Sequence, residues 1–243
     1  MESQASRAEP EERRAFGRLA RQPGERWTRF ATRIANAYGV VLLLVVAIYV
    51  LASLVAFRGW GAVALTAVTA ACTTVALVSS DARAPLPRSS AILGGGAVAL
   101  ALVSALGGGG SRLLGIAVLI QVVLLAVAGG EILGTVLLEQ EVGFRTILGA
   151  ISVYVLLGIL FTWVYVAVDK LQAGSFFGVP TQTGDFVFFS ITTLSTTGYG
   201  NLVPAAQPGR MLAGLEMLVG QIFLVTLIAG LVSLWRPGLA RRP

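Results

Sequence analysis

Residues 185–204 read DFVFFSITTLSTTGYGNLVP, and the architecture turns on how this stretch is read. Its first half, residues 186–195, has the length and apolar character of a short helix, with Thr183 or Asp185 placed to cap the N-terminus. About ten apolar residues are too few to cross a bilayer, so the segment reads as a re-entrant helix that enters the membrane and turns back. Its C-terminal dipole end would favour a cation beyond it. The second half is governed by Gly198 and Gly200. An ordinary strand alternates its carbonyls, whereas glycines that accept positive φ let successive carbonyls face one side. Tyr199, between them, can turn its ring away and brace the loop, and Pro204 ends it.

Beyond Pro204, Gly209 and Arg210 lead into a long apolar run in which Gly220 falls twenty residues after Gly200. Outer span, short helix, TTGYG loop and inner span follow one another without a gap over residues 145–236, and in this order they resemble the potassium-channel pore family of the bacterial single-pore type. The resemblance implies a selectivity filter at Thr196, Thr197, Gly198, Tyr199 and Gly200. The carbonyls of Thr196, Thr197, Gly198 and Tyr199 would then hold K+, with the Thr196 hydroxyl as the innermost ligand. One chain brings one loop, so a ring of carbonyls implies a homotetramer with cyclic symmetry. An ungapped match puts Gly220 at the bend of the inner helix, although a small residue there serves close packing equally well. Gln221, Leu224 and Ile228 would face a water-filled cavity, and Ile228, Ala229 and Val232 would form the inner constriction. Glu216, mid-span, is expected to bond to the short helix near Thr192.

Three positions depart from the family pattern. Thr197 stands for the usual valine, Asn201 at the outer mouth for the usual aspartate, and Phe188 and Phe189 where many members carry tryptophan or tyrosine. Phenylalanine has no polar hydrogen, so a filter held less rigidly than usual is expected.

The composition excludes most other classes. With 243 residues, 56% hydrophobic, 12% charged and a mean hydropathy of +0.81, the chain is far too apolar for a soluble domain. It contains no histidine and a single cysteine, Cys72, which removes an internal disulfide, metal clusters of Cys and His, and the commonest general base. An enzyme, a cofactor and a nucleic-acid partner are all unexpected.

Six spans can be marked, at residues 37–57, 61–79, 91–106, 113–137, 145–168 and 211–234, most of them close to the roughly 20 residues required. The glycines at 94–96 and 107–110 weaken the third as a helix. The expected fold is therefore an all-α membrane protein: six transmembrane helices, a re-entrant pore helix and a filter loop in a tetrameric channel. Its parts are a cytoplasmic arm (1–36), a four-helix region (37–138), a pore domain (139–236) and a short cytoplasmic tail (237–243). Within the arm, Trp27, Phe30 and Ile34 share a helical face beside Arg29 and Arg33, which suits a short helix at the membrane surface.

Arginine placement orients the chain. Arg7 through Arg33, Arg83, Arg88, Arg145, Arg236, Arg241 and Arg242 share one side, against Arg58, Arg112, Lys170 and Arg210 on the other. Both termini are then cytoplasmic in the cell membrane and the loop enters from outside.

The fourth span resembles a voltage sensor by position, but residues 113–137 contain Gln121 and Glu131 and no basic residue. Glu131 reads as a residue of the membrane interface. Only residues 235–243 follow the last span, so control is expected from the membrane, the pore, the arm or a separate protein rather than an appended ligand-binding domain. A potassium-selective channel is the leading reading. A weakly selective cation channel and a non-conducting scaffold or accessory subunit with a pore fold are the alternatives.

Overall fold

The computed structural model describes residues 24–79, 85–107, 110–138 and 144–234, and side chains within 39–78, 86–107, 110–136 and 146–230. Every regular element among them is a helix: α1 Gly24–Leu54, α2 Gly59–Ser79, α3 Pro85–Ala105, α4 Gly110–Leu138, α5 Phe144–Leu171, α6 Thr183–Leu194 and α7 Gln207–Leu234. The chain divides into two compact units, residues 1–36 and 37–243.

Five helices are long and apolar enough to cross a membrane, within Gly59–Val78, Leu86–Ala105, Gly110–Val136, Thr146–Leu171 and Gln207–Gly230. Gly39–Leu54 is a shorter apolar segment. This is an all-helical, multi-pass membrane chain. Residues 26–34, expected as a short helix at the membrane surface, are helical, within the range Gly24–Leu54. The glycines at 94–96 do not break α3. It starts at Pro85, earlier than the span marked from the sequence, because proline is tolerated in a first helical turn. It ends at Ala105, and Gly107, two residues on, has a φ of 89°, the left-handed conformation that glycine allows.

Helices α2, α3 and α4 pack on one another, α4 packs on α5, and α5, α6 and α7 form a mutually packed group. The end of α1 reaches that group. Phe57 meets Trp163 of α5 edge-on at 5.3 Å, and its backbone N–H donates to the Thr183 hydroxyl at 2.8 Å. The first turn of α6 is thereby held from a distant part of the chain.

Candidate functional site

Helix α6 is anchored by its own sequence period. Phe186, Val187, Phe189, Ser190, Thr193 and Leu194 are buried, at spacings that place one face against α5 and α7. Phe189 enters an aromatic cluster with Tyr165, Phe176 and Phe177, at centroid separations of 5.1, 6.2 and 5.2 Å. The cap differs from expectation. Gln182 is the N-cap, and its backbone N–H donates to the Asp185 carboxylate at 2.7 Å. Thr183 lies one position into the helix and is used by Phe57 instead.

At its other end α6 passes directly into the TTGYG loop. The backbone N–H groups of Ser195, Thr196 and Gly198 donate to the carbonyls of Ile191, Thr193 and Thr192, each at 3.0 Å. The last helical carbonyls thus hold the loop's first residues in place of an ordinary cap. Positive φ then recurs at every second residue, with 57° at Thr196, 51° at Gly198 and 76° at Gly200. The glycines accept this freely. Thr196 does not, since a β-branched residue in the left-handed region is strained. It is the only non-glycine residue with positive φ among those described.

Thr196, Thr197, Gly198, Tyr199, Gly200 and Asn201 are all exposed in the single chain. The two ends of the loop are not free. Pro204 is buried, its carbonyl accepts from Arg210 Nε at 3.0 Å, and the Ala205 N–H donates to the Phe176 carbonyl at 2.9 Å. The Tyr199 ring lies turned onto Phe188, stacked at 5.7 Å with 19° between planes. Stacking of this kind contributes about 0.5–1.5 kcal/mol and needs no polar hydrogen. The hydroxyls of Ser195 and Thr197 pair at 2.8 Å.

Behind the loop stands α7, whose buried face is Gly209, Ala213, Glu216 and Gly220. A Cβ on Gly220 would come within 2.5 Å of the Leu194 carbonyl oxygen, so glycine here permits the backbones of α7 and α6 to meet. Glu216 is fully buried and accepts from Ser190 Oγ and Tyr165 OH, both at 2.5 Å. Its partner does lie on α6, but it is Ser190 and not the expected Thr192. The Thr192 hydroxyl turns back to the carbonyls of Phe188 and Phe189 in its own helix. Gln221 and Ile228 are exposed on α7 and Leu224 is half-buried, whereas the side chain of Val232 lies outside the described residues. So do the side chains of Arg29, Arg33 and Arg145, and the whole of Arg7, Arg83, Arg236, Arg241 and Arg242.

Comparison with known proteins bears on the same stretch. A family model described as an ion channel matches residues 149–236. A cyclic nucleotide-gated potassium channel of Rhizobium etli is 36% identical over 91 residues, covering 37% of this chain and 24% of that protein. Another, from Mesorhizobium japonicum, is 32% identical over 105 residues, covering 42% and 27% respectively. The chain thus spans about a quarter of the length of the curated relatives it matches. No solved structure matches it significantly.

Proposed function

We propose, from the premise that residues 149–236 belong to the potassium-channel pore family, that this chain is one subunit of a homotetrameric, potassium-selective channel of the cell membrane. The observation that carries this reading is the exposed loop at residues 196–201, with positive φ at every second position, fixed at both ends to a packed frame. A loop built in this way turns its carbonyls to one side but offers a cation only a partial shell. Four copies about an axis complete it.

In that assembly the carbonyls of Thr196, Thr197, Gly198 and Tyr199 replace the hydration shell of K+, Gly200 lets the chain leave the axis, and the Thr196 hydroxyl is the innermost ligand. The C-terminal end of α6 directs its negative dipole toward the path. Gln221 and Leu224 line the inner cavity, Ile228 and Val232 narrow it, and a hydrophobic ring of this kind gates by dewetting. Gly220 serves the bend and the close packing together. The short apolar segment Gly39–Leu54 completes six spans with both termini cytoplasmic.

The test is cation flux into liposomes containing the purified protein, with Gly198→Ala as the control and a bi-ionic reversal potential of K+ against Na+. Flux that is K+-selective and lost in Gly198→Ala supports the reading. A reversal potential near zero identifies a weakly selective cation channel, and absence of flux identifies a non-conducting pore-fold subunit.

A further inference from the structure

We propose that Glu216 is a positioning residue for the filter: its carboxyl group ties α7 to both α6 and α5 and so fixes the end of α6 from which the loop at residues 196–200 departs. The inference rests on the reading of that loop as an ion-coordinating filter.

The first observation is where the carboxyl group stands. Glu216 is 0% exposed within a membrane-crossing helix, and no ion pair reaches it among the described residues. An acid in such a place is costly unless its oxygens are satisfied, and an apolar residue of similar volume would hold the helices together at less expense. What it adds is geometry. Oε1 is held by Ser190 of α6 and Oε2 by Tyr165 of α5. A single bond would leave α7 free to swivel, whereas two bonds from different helices set both its rotation and its height.

The second observation is the path from this joint to the loop. One turn after Glu216, Gly220 brings the α7 backbone against the Leu194 carbonyl, at the last residue of α6. The preceding carbonyls of Thr192 and Thr193 hold the N–H groups of Gly198 and Thr196. A shift of α7 therefore moves the acceptors on which the loop backbone hangs.

The third observation concerns protons. The Ser190 hydroxyl has one proton and two acceptors in reach, the Gly158 carbonyl at 2.7 Å and Glu216 Oε1 at 2.5 Å. Glutamine at position 216 would donate from its amide to the Ser190 oxygen, leave the hydroxyl proton to Gly158, and still accept from Tyr165. Glutamine preserves the tie, whereas leucine removes both bonds at similar size.

The experiment measures the thermal stability of the full-length protein across a KCl series, with choline chloride holding ionic strength constant. An ion that binds only the native assembly raises stability logarithmically once its concentration passes its dissociation constant, so the KCl concentration at which the rise sets in reports its affinity. Glu216→Leu should move that onset to about tenfold higher KCl, and Ser190→Ala and Tyr165→Phe should each move it part of the way. Glu216→Gln should stay within about twofold of the parent. Should Glu216→Leu fail to assemble, the two smaller deletions carry the test. A drop in stability equal at every KCl concentration, with the onset unmoved, overturns the proposal and leaves Glu216 a packing residue. A glutamine variant shifted as far as leucine overturns it as well. If the parent protein gains no more from K+ than from choline, the filter reading itself fails and this inference falls with it.

Discussion

In α2 the hydroxyls of Thr66 and Thr73 turn back to carbonyls of their own helix, at 2.7 and 2.6 Å, and in α4 Gln121 crosses to the Thr66 carbonyl at 3.1 Å. These buried polar groups are neutral. The second half is built differently, around a buried acid that joins three helices behind an exposed loop. Exposure sets α7 apart from α2. Half of the most apolar window of α2 is buried, but only 17% of that of α7, which leaves Met211, Leu215, Leu218, Ile222, Val225 and Ile228 exposed. The described residues of 59–138 thus bury only neutral polar groups, whereas α7 leaves a broad apolar face uncovered by the other described helices.

The largest effect should fall on that uncovered face. Leu218 is 63% exposed in the single chain, and Leu218→Asn should abolish the tetramer, as read by mass measurement in detergent. A tetramer that survives the change would assign this face to lipid, and a stable, conducting monomer or dimer of the parent would end the tetrameric reading. Next comes the close contact of α7 with α6. Gly220→Ala forces a methyl group against a backbone oxygen and should cost about 1–3 kcal/mol by thermal melting. Gly95→Ala in α3, where an added Cβ meets nothing within 4 Å, should instead stabilise by about 0.5–1 kcal/mol. Equal effects would erase the distinction between the two halves.

A smaller effect is expected from voltage. A field of 100 mV does about 2.3 kcal/mol of work per elementary charge moved across the membrane, and residues 113–137 carry no basic side chain to move. Open probability should change shallowly with voltage, and a steep activation curve would give the first half a role that its neutral interior does not suggest. The smallest effect belongs to Asn201, exposed just after the TTGYG loop. Asn201→Asp should raise inward K+ conductance mainly in dilute salt, because fields reach roughly 30 Å at 0.01 M and about 10 Å at 0.1 M. Conductance curves that stay parallel across a KCl series would leave Asn201 as a loop cap only.

How much of this was legible depends on the kind of signal. The short helix announces itself by being apolar and too brief to span, and Gly198 and Gly200 announce the loop, because residue type alone licenses their φ. Thr196 gives no such notice. Its positive φ is imposed by the hydrogen bonds from Thr196 and Gly198 back to α6, which no local propensity encodes. Glu216 was legible as a buried acid with a partner on the short helix, but its register was not. Choosing Ser190 over Thr192 requires knowing which α6 face meets α7, and Tyr165 lies 51 residues away on a third helix. The signal that could have found Ser190 is the face it shares with Phe186, Val187 and Leu194. Phe188 was read as a lost tether, and its stacking on Tyr199 depends on ring orientation that composition does not carry.

The bond from the Phe57 N–H to the Thr183 hydroxyl joins residues 126 apart in sequence, and it is buried. During synthesis the amide is made long before its acceptor, since chains emerge from the N-terminus at about 5–20 residues per second. For that interval the tip of the first apolar helix has no native partner for this group, and a polar group left unpaired in hydrocarbon is costly. The tip must therefore wait in contact with water until α6 arrives. Docking of the short helix is then a long-range event, which joins Phe57 to a helix made 126 residues later.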